Sequence, residues 1–183
     1  MTSSETYSFD LAEEMVQRLE QEFGPEALRA ELRKAGGGRK TLSDGFFGDF
    51  GRCWMERTLE LGEQYSDRTY EVLKAAVKKT GTLAFPFIPE RFVEIAYLST
   101  QPIYTVPIVE NGATGLVFKM PFCGYFKVIK EEMGEEFARA LPCREACLGA
   151  CRLAFEHFEF DVNVGMDATM PADEYCQFSI RPA

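Results

Sequence analysis

Three cysteines recur at intervals of four in the stretch "CREACLGAC": Cys143, Cys147 and Cys151. A helix turns about 100° per residue, so their side chains fall about 40° apart along one stripe. Three chemistries are open to such a stripe. The thiols could ligate a metal with Cys123 and Cys176 as a second pair, although the tight double-pair spacing of structural zinc sites is absent. One could be a nucleophile, which needs its pKa lowered by a helix N-terminus or a cation. Cys143 follows Pro142 at a predicted helix start and precedes Arg144, so it has both aids. Or the thiols could be small apolar side chains in a core. Ala154 and Phe158 continue the stripe and favour that reading for Cys151.

A nucleophile needs a base, and the chain's one histidine is badly placed for it. His157 lies fourteen residues beyond Cys143 on the same predicted helix, about 21 Å away by helical rise. A carboxylate would have to serve instead, from Glu145, Asp173 or Glu174. Glu131, Glu132, Glu135 and Glu136 resemble paired carboxylates, but their spacing on an amphipathic helix suits a solvated face better. The stretch "GGGRKTLSD" is not a phosphate loop, since Arg39 stands where the motif needs its second glycine and no strand precedes it.

The elements that must position these residues are legible in outline. Asp10 and Glu13 suggest a capping box opening "LAEEMVQRLEQEF", and Gly24-Pro25 closes that helix and starts another carrying Leu28 and Leu32 on one face. Gly45, Gly48 and Gly51, three apart in "GFFGDFGRCWMERTLELGEQY", suit either a small-residue helix face or a loop. Ser66-Asp67 is the expected cap of a further helix, "RTYEVLKAAVKKTG", and "TLAFPFIPE" reads as a packed connection. Asn111-Gly112 between two β-rich runs predicts a hairpin. One helix is expected over "YFKVIKEEMGEEFARAL", then the cysteine helix to about Phe158, then strands in "FEFDVNVGM" and "EYCQFSI". The order predicts an α+β fold: an antiparallel sheet of about four strands, N-terminal helices, and two helices inserted between the strand pairs. Residues 1–183 read as a single domain, with a helical part over 1–81 and an α+β part over 82–183.

Bulk properties narrow the partners. With 183 residues, 46% of them apolar, the chain can bury a sizeable core. A net charge of −9 and the absence of a basic cluster argue against nucleic acid and against anionic membranes. No basic-then-apolar leader and no apolar run of about 18 residues are present, so no membrane span is expected. Six cysteines without a leader predict reduced thiols in a cytoplasmic, soluble protein. The Phe-rich helices offer a candidate surface for a homodimer or partner subunit.

A family resemblance enters over roughly residues 102–180. A strand leading into "MPFCGYF", a helix, "LPCREAC" and the closing "TMPADEYCQFSI" together resemble the L-2-amino-thiazoline-4-carboxylic acid hydrolase-like family. Cys143 and Cys147 match its Cys-x3-Cys element, and Glu174, Cys176 and Phe178 its terminal strand. The closing segment is also similar to vinyl-reductase-type ligand-binding domains. Where the hydrolase-like pattern carries an aspartate three residues after its second cysteine, this chain has Ala150; its turn cysteine precedes a proline, whereas here Met120 does.

The first resemblance implies hydrolysis of a small sulfur- or nitrogen-containing heterocycle or related C=N substrate. Cys143 or Cys147 would then be nucleophile or ligand, Asp173 or Glu174 the acid/base, and Cys176 and Cys123 would line the site. The second implies a non-catalytic module that binds a small molecule or cofactor, as an accessory subunit or sensor. The spacings name no cofactor and leave a metal open.

Overall fold

The computed structural model describes residues 10–36, 41–42, 44–64, 95–96, 99–100, 106–112 and 114–183. Three helices come first: α1 (Asp10–Phe23), α2 (Pro25–Lys34) and α3 (Asp44–Gln64). A hairpin follows, β1 (Ile108–Gly112) and β2 (Gly115–Met120), then α4 (Gly124–Met133), α5 (Glu135–Ala140) and α6 (Arg144–His157). The chain closes with β3 (Val162–Ala168), a single turn α7 (Met170–Asp173) and β4 (Cys176–Pro182). The strands form one antiparallel sheet in the order β1-β2-β4-β3. The fold is α+β. The helix expected after Ser66, the connection "TLAFPFIPE" and the side chains of the Asp10/Glu13 capping box lie outside the described residues.

Pro25 opens α2 at its first turn, where a missing N–H goes unnoticed, and Leu28 and Leu32 are buried as their spacing requires. Asn111 and Gly112 end β1 at the hairpin turn. In β4 the alternation sends Cys176, Phe178 and Ile180 inward. Val162, Val164 and Met166 of β3 join them against the helices.

Two expectations need correction. The single helix over "YFKVIKEEMGEEFARAL" is two helices, so three rather than two are inserted between the strand pairs. Gly134 takes φ 82°, a left-handed conformation open to glycine, and its amide donates to the Lys130 carbonyl at 3.0 Å; α5 then starts afresh. The strand expected from Phe158 begins only at Val162, because Phe158 caps α6 and Glu159 turns the chain at φ 58°.

Helix α6 is the axis of the molecule. One side packs along α3, where Gly51 and Gly149 let the two backbones touch. Of the glycines expected to form a small face, Gly48 and Gly51 lie at this crossing, whereas Gly45 is exposed. Ala150 and Ala154 join Met15, Leu19 and Met55 on that side, while Phe155, with Cys147 and Cys151 packed against it, meets the sheet. On the far side of α3, Phe47 packs with Leu28, Leu42, Val128 and Ile129. The phenylalanines of α3 face inward, and the large apolar side chains exposed among the described residues are Val109 and Phe122. Glu131, Glu135 and Glu136 are exposed, as a solvated face requires, and Glu131 and Glu132 also tie α4 to α2. Arg29 reaches them at 2.7 and 2.6 Å, and Arg33 meets Glu132 at 2.7 Å.

Among the described residues, no helix is long and apolar enough to cross a membrane.

Candidate functional site

A cavity of about 160 Å³ opens where the end of α1, the start of α4, the middle of α6 and the edges of β2 and β4 converge. Three cysteines reach it from three different elements. Cys123 caps α4, its sulfur accepting from the Phe126 amide at 3.3 Å. Cys147 comes from α6, and Cys176 from the first position of β4, directly paired with Met120. The sulfur of Cys176 accepts from the Met170 amide at 3.3 Å. The chain thus brings Cys147 together with Cys123 and Cys176, which the stripe alone could not show.

The rest of the wall is mostly apolar. Phe23, Trp54, Phe122, Tyr125 and Phe178 supply five aromatic side chains, and Met120, Leu19 and Val16 fill between them. The rings brace one another edge to face: Phe23 on Phe50 and Phe50 on Tyr125, each at 5.6 Å, and Trp54 on Tyr125 at 5.8 Å. Tyr125 is further fixed by its hydroxyl, which donates to the Phe23 carbonyl at 2.6 Å and pins α4 to the end of α1. Ser99 and Thr100, also on the wall, donate their hydroxyls to the Ala96 carbonyl at 3.0 and 2.8 Å. Among the described lining residues, Glu20 is the one charged residue.

The thiols are held protonated. Burial pushes Cys147 well up, with the neighbouring Cys123 and Cys176 adding to it. Burial likewise raises Cys123, takes Cys151 to about 12 and Cys176 to about 11. Cys143 stands at the N-cap of α6, as predicted, but its side chain makes no capping bond there and packs against the α2–α4 core. Burial takes its pKa to about 12, with Cys123 and Cys176 contributing in the same direction; Arg144 pulls the other way and loses. The helix start and adjacent cation that suggested an activated thiolate are outweighed by desolvation.

The expected acid/base residues lie outside the lining, although Asp173 is near enough to help raise Cys176. Asp173 is exposed and accepts from the Thr169 amide at 2.8 Å, closing the turn of α7. Glu174 is exposed at the left-handed position, φ 63°, that ends that turn. Neither is among the residues lining the cavity. Glu145 is engaged by Arg144 at 3.1 Å, and His157 is exposed at the far end of α6, its ring edge-on to Phe158 at 5.0 Å. Among the described residues no group of three or more His, Cys, Asp or Glu side chains is placed to hold a metal ion.

Sequence reasoning found the three lining cysteines and missed the aromatic wall and Glu20. Its members come from α1, α3, α4 and the sheet, and each reads locally as an ordinary core residue. The usable signal was the break "EFGP", which stops α1 where a cavity wall is needed.

No family model matches the chain, and no curated protein or solved structure matches it either.

Proposed function

We propose that the protein is a non-catalytic small-molecule binding module, the role implied by its resemblance to vinyl-reductase-type ligand-binding domains, serving as a sensor or accessory subunit. One observation carries this reading: a preformed, aromatic- and thiol-lined cavity of about 160 Å³. An apolar cavity of about 150 Å³ is enough to take up a benzene-sized molecule. A largely apolar pocket with few polar groups is the usual form of a ligand site.

The hydrolytic reading has weaker support. Attack on a C=N bond asks for a thiolate or an activated water, and an acid for the departing atom. Here the thiols are held neutral, Asp173 and Glu174 sit outside the lining, and Ala150 faces the α1–α3 core rather than the cavity. A carboxylate-bearing heterocycle would also meet Glu20 with no lysine, arginine or histidine among the described lining residues.

Native mass spectrometry of the purified chain against single-ring compounds tests the proposal. Stoichiometric binding that Cys147→Ala weakens without unfolding the protein is the expected result. Turnover of a thiazoline carboxylate that Cys147→Ala abolishes would replace the binding module with the enzyme.

A further inference from the structure

Among the described residues the charges lining the cavity are one-sided. Glu20 lies on the last turn of α1 with its carboxylate folded over Gly24, so that a β-carbon at position 24 would stand 2.7 Å from Oε1. Among the described residues this carboxylate has no ion-pair partner. The C-terminus of α1 adds partial negative charge at the same place, and no basic side chain occupies its last turn to offset it. The opposing partial positive charge, at the start of α4, is already engaged: the Phe126 and Tyr125 amides are directed at the Cys123 sulfur. The hydroxyl protons of Tyr125, Ser99 and Thr100 go to backbone carbonyls. What remains for a ligand among the described lining residues is a carboxylate, sulfur and oxygen lone pairs, the Trp54 indole N–H, the weak S–H donors and the faces of several aromatic rings. That set attracts a cation and repels an anion.

We infer that the ligand is a small organic cation, an amine or quaternary ammonium with a compact apolar body, held among the aromatic side chains with Glu20 as its counter-ion. The inference rests on reading the cavity as a binding site and names what that site selects. Aromatic walls suit a quaternary ammonium because the ring faces attract its diffuse charge while the methyl groups fill apolar space. A small, strongly hydrated ion such as Na⁺ would find too few oxygen ligands there to replace its water.

Trp54 is the chain's one tryptophan and lines the cavity, so its emission reports on occupancy directly. Choline and 3,3-dimethylbutan-1-ol have the same shape and differ in a charged nitrogen against a neutral carbon. Titrating each against the whole chain should give choline a Kd about tenfold lower. Glu20→Gln, at an exposed position where folding is not at stake, should remove most of that preference and leave the alcohol's Kd unchanged. Equal Kd values, or tighter binding of the alcohol or of acetate, would overturn the cation assignment while leaving a binding site in place. If neither probe nor toluene moved the Trp54 emission, the binding-module reading would fall as well, and the assignment with it.

Discussion

Gly51 of α3 lies directly against the carbonyl of Ala146 in α6, so closely that a β-carbon on Gly51 would overlap that oxygen. The contact is reciprocal, since a β-carbon on Gly149 would come within 2.9 Å of the Gly48 carbonyl. This approach sets how closely α3 and α6 pack.

Gly51→Ala should therefore force the two helices apart and destabilise the protein by about 3 kcal/mol, the upper range for overpacking. Gly48, one turn away, faces open space. Gly48→Ala should raise stability by about 0.5–1 kcal/mol, through helix propensity alone. Urea unfolding of the two variants provides the comparison, and similar midpoints for both would contradict a close α3–α6 crossing at Gly51.

The three-residue spacing of Gly45, Gly48 and Gly51 showed this crossing only as one of two readings, because glycine permits close packing and loop formation alike. The antiparallel sheet was far more legible, since alternation in "EYCQFSI" leaves one inward face. The break at Gly134 was visible as a glycine but not as a stop, for a lone glycine inside a helical pattern is usually tolerated. The cavity was legible only through its cysteines. A wall assembled from Phe23, Trp54, Tyr125 and Phe178 has no local signature, because each residue's packing partner lies far away in the chain.

The thiols provide a second test. Cys53 is exposed, whereas Cys143 and Cys151 are buried enough for their pKa values to reach about 12. Iodoacetamide at pH 8 should label Cys53 first and leave Cys143, Cys147 and Cys151 slow by at least about tenfold. Their folded pKa values lie above the unfolded value of 9.0, so the unfolded chain loses protons first as pH rises. The thiols' contribution to stability should be constant below pH 9 and fall between 9 and 12. Rapid stoichiometric labelling of Cys147 in the folded protein, read by peptide mapping, would restore the nucleophile.

At the acid end the sign reverses. Arg33 and Arg29 hold the Glu132 carboxyl down to about 2 from an ordinary 4.5. A depressed folded pKa means the α2–α4 clamp contributes above pH 4.5 and is lost as pH falls through 2. Glu132→Gln should thus lower Tm at pH 7 by a degree or two at most, as the pair is exposed to solvent screening. The gap between variant and parent should close progressively from pH 4.5 to pH 2. A gap independent of pH would mean that the side chain matters through packing instead of charge.

Two phenylalanines of the cavity wall separate stability from binding. Phe178 is 2% exposed and stacked on Phe118, ring centroids 4.9 Å apart and planes 9° from parallel. Phe178→Ala should leave a void beneath the sheet and destabilise by about 3–5 kcal/mol. Phe122 is 52% exposed at the edge of the same cavity and contributes little to the core. Phe122→Ala should change stability by less than about 0.5 kcal/mol. Removing that ring opens the wall to water, so the affinity for any occupant should drop several-fold, measurable by Trp54 emission. An unchanged affinity in Phe122→Ala would place the occupant deeper, between Cys147 and Phe178, and leave Phe122 as plain surface.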